Sequence, residues 1–405
     1  MAHLALSAAR RWAQAPIALR IAVIYLVARG ITTVFLLLAA SLSTSFSRFG
    51  AGAGLLDFVL GWDAQWYWLV AENGYPTELP LTDSGEVAEN AWAFMPVFAY
   101  AAKALGFLLG SWGAGAFLLS LVAGYLACLA LHRLLRERIG GSAAIWAVVF
   151  FASGPLAAMF QVGYAETLFL LLLFLALDAT TRRRYAWLYL LIPVMAFTRP
   201  GILAFALYLG LHGVLRWRRR REDPLAGREI AHILILGALA CVAGFAWQVI
   251  AGVATGDPGA YLATELAWRR HWIVGGVDGF VPFEGWVQAA QFWFGFWGMP
   301  PWWGLIALVL LVAAAGVALL RAPQVRALGA DLRLWSASYL LYLLAVFFPQ
   351  SSTFRLLLPL SPLWGAVAVP RSRWWRFGVL VFSLLGQWLW IYHVYALGST
   401  FWQVP

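Results

Sequence analysis

The chain has 405 residues, of which 63% are apolar and 11% charged, with 24 tryptophans and a formal net charge of +10. This composition excludes a soluble globule of ordinary make-up. The arginines fall in short clusters between apolar segments, as loop charge does in membrane proteins, which argues against a nucleic-acid-binding surface. An all-α polytopic membrane protein is expected.

About 20 apolar residues cross a bilayer as a helix. On that measure, spans are predicted near 17–42, 113–134, 142–160, 164–181, 185–198, 200–216, 229–253, 302–320, 334–349, 354–369 and 375–397, about 11 in all. The first apolar run follows Arg10 and Arg11. It is longer than the roughly 7–15 residues of a signal-peptide core, so it is read as an uncleaved span. Arg29 lies midway along it, where a charge costs about 2.5–3.5 kcal/mol, and is expected to face the bundle interior and pair with an acidic group. Cys128 and Cys241 sit in apolar runs as packing residues, and neither a disulfide nor a metal cluster is expected.

Trp92 to Leu109 is also apolar, and the orientation rule decides its place. If it crosses, the cluster Arg133, Arg136 and Arg138 changes sides and every later cluster is inverted. If it lies in the interface, most of the 28 basic residues share the cytoplasmic side with the N-terminus. The chain is therefore read as one integral membrane domain over 1–405, placed in the plasma (inner) membrane. A first extracytoplasmic loop at 43–112 carries interfacial helices, and a second lies at 254–301. The first loop is acidic, and every cytoplasmic connection is short, so chemistry is expected on the extracytoplasmic face.

Five charged or aromatic stations stand at that face. Gly61 to Tyr75 reads GWDAQWYWLVAENGY and begins a short helix with Asp63 beside Trp62, Trp66 and Tyr67. A partly desolvated aspartate there can take a proton from a sugar hydroxyl. It can equally cap the helix by bonding the amide of Gln65 or Trp66, and the aromatics can equally be interface anchors. Tyr164 and Glu166 stand at the start of a later span, where an acidic group also suits the helix N-terminus. The spans 185–198 and 334–349 are short, about 21 and 24 Å against a hydrocarbon core of about 30 Å. Arg199 and Arg355, at their outer ends, should therefore be recessed, where a guanidinium calls for an anion, and a phosphate matches its fork of donors. Arg269, Arg270 and His271 in the second outer loop are candidates for an anionic acceptor or a solvated charge run.

The motifs WDAQWYWLVAENGY, Phe94-Met95-Pro96, GYAETLF at 163–169, Thr198-Arg199 and Arg355-Leu356 with Pro359 and Pro362 occur in order from about residue 20 to 365. Together they resemble the signature of the PIG-V family, the GPI mannosyltransferase II group and its bacterial relatives in the GT-C superfamily. Pro200-Gly201 departs from the family's polar pair, and the second outer loop matches poorly. The resemblance implies a GT-C-type helical bundle and an inverting transfer of mannose from polyprenyl-phosphate mannose, with Asp63 as general base. The acceptor would be a glycolipid, a lipoglycan or a protein, and no cofactor or metal is expected. In that frame Arg199 and Arg355 would hold the donor phosphate, and Trp62, Trp66, Tyr67, Tyr164 and Glu166 the sugar.

The residues themselves supply an outward carboxylate, recessed arginines and apolar spans. No Walker loop, HExxH, GxSxG or dinucleotide fingerprint occurs, and no Asp-x-Asp pair offers metal ligands for a nucleotide sugar. The alternatives are a lipid or polyprenyl-phosphate transporter, which would show mid-membrane charges and inverted repeats, and a non-catalytic lipid-binding subunit with no need of Asp63.

Overall fold

The computed structural model describes residues 14–270 and 279–398; His271 lies outside them. Helix α1 (Ile17–Leu42) starts directly after Pro16 and buries Tyr25, Ala28, Arg29, Thr32 and Leu36. That spacing makes a stripe down one face of a helix. The first loop then folds into α2 (Leu55–Val59), α3 (Asp63–Asn73), a 3₁₀ turn at Ala91–Ala93 and α4 (Pro96–Leu109). Pro96 opens α4 and Gly110, left-handed at φ 86°, closes it. Its 14 residues give about 21 Å of helix, short of a crossing. Ser111 caps α5 (Trp112–Ile139) by accepting from the amide of Ala114 at 3.2 Å. Helices α4 and α5 meet backbone to backbone, since a Cβ on Gly115 would stand 2.2 Å from the carbonyl oxygen of Ala102.

The chain continues through α6 (Gly141–Ala152), α7 (Glu166–Thr181), α8 (Leu188–Ala196), α9 (Ile202–Arg218) and α10 (Gly227–Thr255). The second loop holds α11 (Ala260–Ala267) and α12 (Glu284–Phe296). After it come α13 (Pro301–Arg321), the single turn α14 (Pro323–Arg326), α15 (Ala330–Val346), α16 (Thr353–Leu356), α17 (Trp364–Ala368) and α18 (Arg373–Ile391). Among the described residues there is no strand, only one isolated bridge between Leu81 and Val87.

Among the described residues, five helices are long and apolar enough to cross a membrane: α1, α5, α10, α13 and α18 with its π-helical continuation to Leu397. Their outward surfaces are apolar; Leu26, Val253 and Phe382 are all well exposed, and α13 is scarcely buried. Apolar surface of this extent belongs in lipid, and the chain is an integral membrane protein. Several predicted spans prove to be broken. The segment 142–160 ends its helix at Ala152 and resumes as a 3₁₀ turn at Ala157–Phe160. The segment 354–369 splits into α16, a 3₁₀ stretch at Leu358–Leu363 and α17. Pro359 and Pro362 lie in that stretch and withhold the amides a continuous helix would need.

Arg29 is buried, as expected of an arginine within a span, but among the described residues its partners are not acidic. Its guanidinium donates to the carbonyls of Ala152 and Ala157, between the rings of Tyr25 and Phe160 at 5.1 and 4.8 Å. It thus satisfies the Ala152 carbonyl at the end of α6 and the Ala157 carbonyl at the start of the following 3₁₀ turn.

The two ends of the bundle carry different charge. At one end Asp178 accepts from Arg182 at 2.7 Å and lies 3.0 Å from Arg133, while Arg216 meets Glu229 at 2.7 Å and also Asp223. The first loop lies at the other end, with a core of its own that includes Phe58, Tyr67, Phe94, Tyr164 and Tyr395.

Candidate active site

The turn between α2 and α3 sets the position of Asp63. Trp62 stands there in the left-handed region, φ 56° and ψ −124°, a conformation that costs a bulky residue of order 1–3 kcal/mol. Two contacts hold it: its indole Nε1 donates to the carbonyl of Val394 at 3.1 Å, and the Arg48 guanidinium lies 4.3 Å from its ring centroid. Helix α3 starts at the next residue. The start of α3 has no side-chain cap hydrogen bond. The carboxylate of Asp63 instead accepts from Arg355 Nη1, and its amide donates to the Tyr164 hydroxyl at 3.4 Å.

Gly163 brings the 163–166 segment within reach. Its amide donates to the carbonyl of Val59 at 3.0 Å, and a Cβ there would meet Ala64 Cβ and the Val59 carbonyl oxygen at 3.1 Å. Tyr164 is fully buried with the Arg355 guanidinium 5.3 Å from its ring centroid. Glu166, at the start of α7 and 2% exposed, places Oε1 3.3 Å from Arg355 Nε and 3.4 Å from Arg199 Nη2. Arg199 is held at the break between α8 and α9, where Pro200 and Gly201, at φ 134°, stop the helix. Arg355 is held on the single turn α16.

Two carboxylates and two guanidiniums thus alternate in a buried row, Asp63, Arg355, Glu166, Arg199. Sequence reasoning placed all four at one face, and the structure joins them by direct contact. Asp63 is the more open carboxylate, with 22% of its side chain exposed against 3% for Glu166. Burial pushes the Asp63 carboxyl above its ordinary value; Arg355 draws it back, Glu166 pushes it up again, and the balance is upward.

The aromatic candidates divide. Trp66 stacks on Phe94 at 5.6 Å, nearly parallel, and meets the edge of Trp268 at 5.6 Å. Tyr67 is buried against Phe94 and Phe98. In the second loop Arg269 donates to the carbonyl of Val346, and Arg270 pairs with Glu86 at 3.1 Å, so both are partly buried. The acceptor role considered for His271 falls outside the described residues.

Sequence reasoning missed α11. Its Thr264 bonds Asn90 at 2.9 Å and its following residue Trp268 covers Trp66, so the second loop closes over the first. Glu265 on the same helix has a carboxyl raised by burial, with Arg269 drawing it back. The available signal was the i, i+4 spacing of Tyr261, Glu265 and Arg269.

An apolar groove of about 1200 Å³ adjoins the segment that carries Arg355, lined among others by Phe151, Phe160, Trp293, Phe354, Trp390 and Val394. Ser351 and Thr353, on the segment that carries Arg355, stand in its wall. The buried Ser351 hydroxyl on that segment has no hydrogen-bond partner among the described residues, while Arg355 Nε faces Glu166. A buried hydroxyl left open four residues from Arg355 suits an anion there. Among the described residues no group of three or more His, Cys, Asp or Glu side chains is arranged to hold a metal ion.

The sequence matches no protein-family model and no curated protein. Among solved structures it is similar to the archaeal oligosaccharyltransferase AglB from Archaeoglobus fulgidus in complex with an inhibitory peptide and a dolichol-phosphate, at 14% identity and a TM-score of 0.42, covering 93% of this chain and 56% of that one. The Archaeoglobus fulgidus oligosaccharyltransferase complex with Zn and sulfate matches at 13% identity and a TM-score of 0.39, covering 91% of this chain and 53% of that one. The chain spans about half the length of these structures.

Proposed function

We propose that this chain is a membrane glycosyltransferase of the GT-C type. It transfers a mannosyl residue from polyprenyl-phosphate mannose to a lipid-linked or other acceptor on the extracytoplasmic side, with inversion at the anomeric carbon. The observation that carries the proposal is the meeting of a basic carboxylate, buried arginines and an apolar groove at one place. A donor with a lipid tail, a single phosphate and a sugar asks for those three things in the reverse order.

The donor tail lies in the groove and its phosphate reaches Arg355 and Arg199, competing with Asp63 and Glu166 for their guanidiniums. Release of Asp63 from Arg355 exposes a carboxylate whose affinity for a proton is raised by burial. Asp63 takes the proton of the acceptor hydroxyl as its oxygen bonds to the anomeric carbon. The bond from that carbon to the phosphate oxygen breaks on the opposite face, and the arginines hold the charge that the leaving phosphate gains. The PIG-V-like motifs supply the choice of mannose.

The test is transfer of labelled mannose from polyprenyl-phosphate mannose into membrane lipid and protein by wild type and Asp63→Asn at matched folded yield. A loss of about 10²–10⁴-fold with donor binding retained is expected of a general base. Equal transfer by the two proteins returns Asp63 to a structural role, and transport of the intact lipid across liposomes without transfer makes the chain a transporter.

A further inference from the structure

Helices α9 and α10 enclose a second groove at the end of the bundle opposite Asp63. It holds about 530 Å³ and is lined by Gly210, Gly213, Trp217, Arg218, Leu234 and Gly237, among others. Val214, Trp217 and Leu234 on its walls are more than half exposed, so it opens toward lipid. Gly213 has a packing reason, since a Cβ there would stand 3.0 Å from Ile233. Gly210 and Gly237 have none: a Cβ on either meets nothing within 4 Å. Each glycine inside a helix costs about 1 kcal/mol relative to alanine, and here the two keep open a space that no protein atom fills.

The charge at its mouth is in net positive excess, six arginines between 216 and 228 against Glu222 and Asp223. Arg216, one residue from Trp217, is neutralised by Asp223 and Glu229. Among the described residues, Arg218, Arg219, Arg221 and Arg228 form no ion pair, and Arg220 lies over the Trp217 ring at 4.1 Å. A cationic rim above an apolar slot matches an anionic amphiphile of the adjoining leaflet. A helix from another chain would use the glycines but gain nothing from the arginines.

We infer that this groove binds one anionic phospholipid, an acyl chain lying between α9 and α10 over Gly210 and Gly237 and the phosphate held by Arg218. It is a separate site from the donor groove, and its occupant does not take part in transfer.

The full-length protein, purified in mild detergent, is incubated with phosphatidylglycerol or phosphatidylcholine of matched chains, and retained lipid is counted by native mass spectrometry. One phosphatidylglycerol should be retained in preference to phosphatidylcholine by about fivefold, the scale of one arginine at a membrane surface. Arg218→Gln should bring the two lipids to parity, and Gly237→Leu should abolish the tight adduct. Because a Cβ at 237 meets no atom within 4 Å and leucine is the better helix former, the melting temperature should not fall; Gly210→Leu is the second filling variant. Equal retention of both lipids by wild type overturns the inference, as does undiminished retention by both leucine variants. Stoichiometric displacement of phosphatidylglycerol by polyprenyl phosphate also overturns it, assigning the groove to a single-chain carrier.

Discussion

Arg355 donates to the carboxylate of Asp63 although 292 positions separate them in sequence. The contact closes the α3 turn against the broken segment that follows α15, and it links the two groups on which the proposed chemistry depends. Arg355 lowers the proton affinity of Asp63, while burial and Glu166 raise it by more.

A pH dependence follows with a definite sign. Asp63 works as a base only when ionised, so transfer falls as pH drops through its pKa. That pKa is raised, so the fall should begin above the usual aspartate value of about 4. Arg355→Met removes the main group that lowers it, and the fall should then begin at still higher pH. Profiles of kcat/KM against pH for the two proteins check this. An acidic limb in the same place for both would mean that Asp63 and Arg355 are not coupled in the free enzyme.

Glu166→Gln keeps the shape of the side chain but leaves Arg199 and Arg355 facing a neutral group. Removing one partner of a buried charge pair costs roughly 3–5 kcal/mol. The variant should melt well below wild type in detergent, and added inorganic phosphate should recover part of the difference by supplying the missing anion.

Gly163→Ala tests the seating of Tyr164 and Glu166. The new methyl would meet Ala64 Cβ and the Val59 carbonyl oxygen at 3.1 Å, a crowding that costs about 1–3 kcal/mol. Transfer should fall more than thermal stability does, because the displaced segment is the one that carries Glu166. Parallel melting curves and initial rates separate the two effects.

Arg29→Met leaves the carbonyls of Ala152 and Ala157 without their donor. Each buried carbonyl left unsatisfied costs about 1–3 kcal/mol. Lower folded yield with unchanged donor KM is expected in the protein that survives, measured by size-exclusion recovery and transfer kinetics.

The membrane character and the helical architecture were legible in composition and hydropathy because lipid contact acts on every outward residue alike. Asp63, Glu166, Arg199 and Arg355 were legible as members of one face, since each follows or precedes an apolar run. Their pairing was not: which carboxylate meets which guanidinium depends on where α3, α7 and α16 pack, and no local pattern encodes it. The breaks at Ala152 and after Leu356 were misread as continuous spans, because a length ruler counts apolar residues through a proline or a turn. The partners of Arg29 were missed for a related reason. A charge pairs with charge in a sequence, whereas backbone carbonyls freed by a helix end have no letter.

Trp62 occupies a backbone conformation that glycine would adopt with less cost. Its bonds to Val394 and beneath Arg48 therefore do more than fill space, since they hold the chain bent at the residue before Asp63. Glycine at position 62 would relieve the backbone strain of about 1–3 kcal/mol but forfeit the packed indole, whose truncation costs about 3–5 kcal/mol. At this position durability and precision therefore select the same residue, and the packing of one indole sustains a bend next to the proposed base that the backbone alone would release.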